Sequence, residues 1–557
     1  MVTLMRVLTV HSVVFTAVCV LAGTAVALAD GDPVPRALAM ISPQSIRADM
    51  RFLADDLLEG RGTATRGHEV AAKFMATRFE AMGLIPAGDA GTYLQRVPLR
   101  SMKTDAGKSA MTWIRAGKAH TLVAAKDYLL RPDPSRRSIS VEAPLVFVGF
   151  GVTAPEQHYD DYRGIDAHGK IVAVISAAPH FESAIRAHFT STLVKARNAV
   201  AHGAVGLIVL DDPILEEEYP FAAQARDSGK PSFRWLDQRG LPNDATPELK
   251  SVAFLSLRAS QELFEGSRYT ANQVFKMAKA GALKSFPLPL ITKMTTATNW
   301  VDVQSHNVVA KIEGGDPALK DQYLVYTAHL DHLGIGDPVN GDSIYNGALD
   351  NASGAAILLE VARAFTELKP APRRSILFLS GTAEEEGLLG SDYFAHNPTV
   401  PHDSLVADLD VDTDFMLWPL QDVVAFGAEH SSLNAVVQRA AERLHLVSSP
   451  DPAPEQALFV RGDNYSFVKQ GIPSVALSPG VKSDDPKINP MKIAGEWLQT
   501  RYHQPSDDME QPGLDFDEAV KFARLVLLVG QAIADGDQRP HWNQHDFFAE
   551  RYVPKAN

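Results

Sequence analysis

The run Tyr323-Leu324-Val325-Tyr326-Thr327-Ala328-His329-Leu330-Asp331-His332 decides how this chain folds. Its first six residues show no alternation of apolar and charged side chains. A strand of that kind is covered on both faces, as in the core of a parallel sheet. Ser375-Ile376-Leu377-Phe378-Leu379-Ser380 has the same character. Between them, Ala352–Leu368 carries Leu358, Leu359, Val361, Ala362 and Phe365 at helical spacing. Strand, helix and strand in that order predict an α/β fold, a mixed sheet with a parallel core flanked by helices. Ligands of such sheets gather at the carboxyl ends of the strands. Both strands are followed by acids or histidines.

Five segments supply hard-metal donors at such positions: His329-Leu330-Asp331, Asp350–Gly354, Glu384-Glu385-Glu386, Asp410-Val411-Asp412, and His503 with Asp507. Alone, a His-x-Asp or Glu-Glu pair is an ordinary solvated feature. Here each donor set sits at an expected strand end or loop of one domain, and that placement gives the pattern weight. The single cysteine, Cys19, leaves histidine nitrogen and carboxylate oxygen as the donors for zinc. Two histidines and several carboxylates suit two divalent ions bridged by one carboxylate. Asp331 fits a carboxylate steering the His329 imidazole, and Asp507 stands in the same relation to His503. Glu384 and Glu385 can divide labour, one binding metal and the other moving protons.

Outward from this region the chain changes texture. Ile46, Met50, Leu53, Leu57 and Leu58 predict one amphipathic helix near the N-terminus. Val70, Phe74, Phe79 and Met82 predict a second helix that stops at Gly83. Residues 140–290 hold short β-rich runs at 144–148, 170–175 and 206–210, with a helix near 195–202, and no cluster of catalytic groups. The string Gly164-x4-Gly169-Lys170 resembles a phosphate loop, but Ile171 occupies the Ser/Thr position and a strand follows. The apolar run Phe522–Ile533 is too short for a membrane span and contains Arg524, so it reads as a core helix.

Of 557 residues, 53 are Lys or Arg and 67 are Asp or Glu. A net charge of −14 argues against a general nucleic-acid binder, because phosphate binding needs a basic surface. The apolar fraction of 45% excludes wholesale disorder. Arg6, the apolar stretch Val7–Leu28 and the ending Ala27-Leu28-Ala29 read as a secretory signal peptide; a retained anchor is the alternative. Cleavage there would remove Cys19. The protein is therefore expected to be exported, periplasmic or secreted, without stable membrane association after cleavage.

Together the segments resemble a two-zinc exopeptidase of the bacterial leucyl-aminopeptidase and glutamate-carboxypeptidase type. The matching strings are Ala328–His332, Gly347–Gly354, Ala383–Ser391, Asp408–Asp412 and Tyr502–Asp507, in the family's order. Leu57–Gly62 and Gly83–Gly88 resemble its N-terminal helical segment. Tyr159–Asp166, Gly169–Val172 and Lys195–Ala204 resemble an inserted protease-associated domain. The resemblance implies a signal peptide at 1–29, a peptidase domain at 30–137 and 293–557, and a smaller β-rich insert at 138–292.

It also implies two Zn²⁺ per chain, one held by His329 and Asp412, the other by Glu385 and His503, with Asp350 bridging. Asp410 is a rival to Asp412. Glu384 would be the general base, supported by Asp331, and a cis peptide is expected at Asp350-Asn351. Asp463 and Tyr465 are expected substrate-binding residues, Tyr465 with a packed aromatic as its alternative; His332 is expected to line the cleft without binding metal. The implied function is aminopeptidase action on peptide substrates, with carboxypeptidase, dipeptidase or a silent binding protein as alternatives. The insert's own partner is unspecified.

Overall fold

A computed structural model describes residues 33–243 and 246–554. The expected signal segment, 1–29 with Cys19, lies outside the described residues. Strand Tyr323–His329 is flanked in parallel by Ser375–Gly381 and Leu405–Val411, and Ser474–Pro479 continues the parallel block. Asp422–Phe426 joins one edge antiparallel. At the other edge the last third of the long strand Phe286–Ile312 runs antiparallel to Ser375–Gly381, then pairs with Leu94–Thr104. The architecture is the mixed sheet with parallel core and flanking helices that the strand character predicted.

Every residue of strands 323–329, 375–381 and 405–411 is buried, as double coverage requires. Helix Ser353–Thr366 lies against them, itself covered by helices Pro43–Leu53 and Phe516–Asp535. The last contains the run 522–533 and packs in the core; no helix among the described residues is long and apolar enough to cross a membrane. Helix Pro43–Leu53 buries Ile46, Met50 and Leu53 as expected but ends there, leaving Leu57 87% exposed. Asp55 accepts the Leu57 N–H at 2.9 Å and starts a tight turn, Asp56–Arg61. The helical spacing of Leu57 is thus coincidental. In helix Arg66–Ala81 the buried face is Ala71, Ala72, Met75 and Phe79, with Val70 outside.

A second sheet is built from Ser138–Phe147, Ile171–Ile175, Gly206–Leu210 and Val252–Leu255, all parallel to one another. Strands Ala110–Arg115 and Tyr128–Leu130, well before residue 138, also belong to it. The first part of strand Phe286–Ile312 pairs with Ser138–Phe147, so one continuous strand serves both sheets.

Candidate metal centre

Three adjacent strands present donors at their carboxyl ends. His329 is the last residue of its strand, Glu384 and Glu385 follow Gly381, and Asp412 follows Val411. Asp350 comes from the irregular turn Ala348–Ala352 that precedes helix Ser353–Thr366, and the Asp350–Asn351 peptide is cis. Gly347 must be glycine there, because a Cβ would lie 2.2 Å from the Asp350 carbonyl oxygen.

The two carboxylate oxygens of Asp350 face different partners. Oδ1 lies 3.3 Å from Nε2 of His329, which is also 3.3 Å from Oδ1 of Asp412. Oδ2 lies 3.3 Å from Nε2 of His503, which is 3.1 Å from Oε2 of Glu385. Two donor groups therefore share one carboxylate. His329 Nδ1 donates to the carbonyl oxygen of Asp331 at 3.1 Å, which leaves Nε2 as the donor nitrogen.

Several buried atoms converge here without hydrogen bonds: Nε2 of His503, Oε1 of Glu385 and both ring nitrogens of His332. His332 Nδ1 is 2.6 Å from Oε1 of Glu385 yet misaligned for a hydrogen bond. Each unpaired buried polar atom costs about 1–3 kcal/mol. Nitrogen and carboxylate donors aimed at common points are satisfied together by divalent cations, and the residues fit such ions.

Charge divides the neighbouring glutamates. Burial and Asp350 push Glu385 upward, but His503 and His332 outweigh them and hold it at about 2. Glu384 is held well above the ordinary range by burial, Glu385, Asp412 and Asp463, with His329 opposing. Burial lowers His503, but Glu385 and Asp350 hold it up at about 10. Opposite shifts on adjacent carboxyls separate a ligand role from an acid–base role.

Residues 307–529 match peptidase family M28. This segment belongs to that family. Among curated proteins, aminopeptidase Y of Saccharomyces cerevisiae is 27% identical over 40% of this chain and 38% of its own length. A probable leucine aminopeptidase 2 of Aspergillus fumigatus is 27% identical over 38% and 42%. Carboxypeptidase Q of Bos taurus is 26% identical over 45% and 44%. The chain thus matches about two fifths of the length of these relatives. A solved aminopeptidase from Aneurinibacillus sp. strain AM-1 shares the fold, with TM-score 0.51 and 17% identity over 92% of this chain and 97% of its own.

In the M28 segment, His329, Asp350, Glu385, Asp412 and His503 lie together. Four expectations change in detail. The His329 ring is steered by the carbonyl of Asp331, while the Asp331 carboxylate accepts from the Glu384 backbone N–H at 3.1 Å and the Thr63 hydroxyl at 3.0 Å. Asp507 does not hold His503; it accepts the backbone N–H groups of Leu349 and Asp350, both at 3.0 Å. The Tyr465 hydroxyl meets His188 of the helix Ser183–Thr190, and its ring packs on Phe459 and Phe548. It is therefore a packed aromatic and not a cleft residue, because its helix, Asn464–Val468, turns that ring away from the donors. Asp463 lies buried beneath the donors, pushed up to about 6 chiefly by burial. The rival Asp410 accepts from Asn464 N–H at 3.2 Å and joins neither donor group.

Two residues take roles that the sequence reading did not assign to them. His332 completes a group with Asp350 and Glu385, hinted at only by its spacing of three from His329. Arg61 is 1% exposed, and its guanidinium donates to the carbonyls of Leu330 at 2.8 Å, Asn346 at 2.7 Å and Gly347 at 2.9 Å. It ties the His329 loop to the Asp350 turn. No periodicity reveals such a residue, because its partners are all main-chain.

Proposed function

We propose that this chain is an exported two-zinc aminopeptidase that removes N-terminal residues from peptides, with a protease-associated insert built on the second sheet, which begins at Ala110 rather than at 138. The observation that carries the reading is the divided Asp350 carboxylate, with one histidine–carboxylate pair on each oxygen. His329 and Asp412 would hold one zinc, Glu385 and His503 the other, and Asp350 both. Bound there, the ions would lower the pKa of an attacking water and polarise the scissile carbonyl. Glu384 takes the proton from the attacking water on its carboxylate and passes it to the leaving amine. Asp331 fixes that residue by accepting its backbone N–H, and Asp331 is itself held by Thr63. Asp507 fixes the main chain of Asp350. His332 sits against Oε1 of Glu385 and leaves Oε2 to the His503 side. The similarity to the yeast and Aspergillus aminopeptidases supports the aminopeptidase reading, and the run Val7–Leu28 supports export.

The similarity to carboxypeptidase Q supports a second reading with the same metal chemistry. Leu-Gly, N-acetyl-Leu-Gly and Leu-Gly-amide separate the two. Aminopeptidase action is expected on the free amine and lost on acetylation. Cleavage that survives acetylation but not C-terminal amidation replaces it with a carboxypeptidase.

A further inference from the structure

One cation stands beside this acidic centre with no carboxylate of its own. Arg461 is exposed, forms no ion pair among the described residues, and reaches only the Tyr502 hydroxyl, at 3.5 Å. Tyr502 in turn stacks on the ring of His503, centroids 3.8 Å apart and planes 22° apart. The guanidinium thus sits within one side chain of the His503–Glu385 donor group.

Both partners are held in place from below. Arg461 N–H donates to Leu458 O at 3.0 Å. The following residues are pinned through Asn464, whose N–H donates to Asp410 at 3.2 Å and whose side-chain amide donates to Phe459 O at 3.1 Å. A Cβ on Gly462 would lie 2.8 Å from Oδ2 of Asp410, so the loop lies tight on the sheet end. Tyr502 is braced by Trp497, centroids 5.9 Å apart.

Among the described residues no carboxylate pairs with Arg461. A guanidinium presents a planar fork that matches a carboxylate through two hydrogen bonds, and a tyrosine hydroxyl adds a third donor. A peptide without a nearby carboxylate has no use for this pair. We propose that Arg461 and Tyr502 bind a carboxylate of the substrate beside the metal centre, selecting peptides with a free carboxylate close to the scissile bond. The inference rests on the peptidase reading. That carboxylate belongs either to an acidic N-terminal side chain or to the C-terminus of a dipeptide.

Two matched pairs test it: Leu-Gly against Leu-Gly-amide, and Glu-amide against Gln-amide. Each is measured as kcat/KM in the wild type, R461Q and R461K, and as Kd by calorimetry with E384Q and E384Q/R461Q. In one pair the acid is expected to be favoured by about tenfold or more, the scale of a charge-assisted hydrogen bond. R461Q should bring that ratio close to one, mainly through KM, and R461K should keep part of it. A preference in the Leu-Gly pair assigns the C-terminal source; one in the Glu/Gln pair assigns the side chain. Equal handling of acid and amide in both pairs, or a preference that persists in R461Q, overturns the proposal. If the wild type hydrolyses neither Leu-Gly-amide nor Gln-amide, the aminopeptidase reading falls. The Kd ratios still decide the role of Arg461. Matching thermal unfolding of R461Q and wild type excludes a folding defect, and R461K supplies a second, milder variant.

Discussion

The two parallel sheets each carry buried charge near their strand ends, and they treat it oppositely. In the second sheet Lys195 donates to Phe150 O at 2.7 Å and Ala177 O at 2.8 Å, and Asn198 donates to Gly151 O at 3.0 Å. Asp161 accepts from the N–H groups of Phe150 at 2.9 Å and Val152 at 3.1 Å, and from the Tyr159 hydroxyl at 2.8 Å. Main chain satisfies that knot, and nothing is left to bind. At the M28 strand ends, Nε2 of His503 and Oε1 of Glu385 are buried and unpaired, pointing at shared positions. Buried polarity alone therefore does not mark a functional site. Convergence without pairing does.

The sharpest break of this contrast is expected at Glu384. Glu384→Gln should lower kcat by about 10²–10⁴-fold, the scale of lost general acid–base catalysis, while metal analysis still finds two ions per chain. Undiminished kcat removes Glu384 from the mechanism; lost metal makes it a ligand. Next comes Asp507→Asn, which loses one of the acceptors holding the Leu349–Asp350 main chain. Zinc affinity, read by competition with a chelating dye, should fall by about 10–100-fold, as for other residues that orient ligands. Unchanged affinity would show that the Asp350 turn holds itself.

The contrast also explains what could be read from the sequence. Uninterrupted apolar strands ending at Ala328 and Ser380 exposed the sheet, because double coverage leaves a direct mark on composition. The donor segments were legible because each follows such a strand or lies in a neighbouring loop, and the choice of residue within each came from the family resemblance. Arg61 and the carbonyl role of Asp331 were not, since their hydrogen bonds go to backbone atoms from which pattern gives no signal. Leu57 misled because a side chain at helical spacing says nothing about where Asp55 restarts the chain. For Tyr465 the packed-aromatic alternative holds, because the fold turns its ring toward His188.

In the second sheet the expected effect is on stability. Burial lowers Lys195 to about 7 from its ordinary value, with Asp161 opposing. Above about 7 the unfolded chain binds more protons than the folded one at this site. Stability should therefore rise with pH from about 7 toward the ordinary lysine value, by roughly 1 kcal/mol per unit. Lys195→Met removes that slope while leaving two carbonyls unpaired. Urea midpoints measured between those limits should climb for the wild type relative to the variant. Parallel curves would mean that Lys195 stays charged in the folded protein.

The smallest effect is expected at Tyr465, where it separates the two regions most cleanly. Its hydroxyl meets His188, which burial lowers to about 3, so the pair is neutral at ordinary pH. Tyr465→Phe removes one neutral hydrogen bond between the M28 segment and the helix Ser183–Thr190. The cost in stability should be about 0.5–1.5 kcal/mol, and kcat should change by less than about threefold. A hydroxyl that stabilised the tetrahedral oxyanion would instead cost about 10²–10³ in kcat with little change in stability. Denaturation and steady-state kinetics on the one variant therefore give opposite answers for the two roles. A large kcat loss would move Tyr465 back into the catalytic cleft and blur the boundary between a satisfied interface and a reactive site.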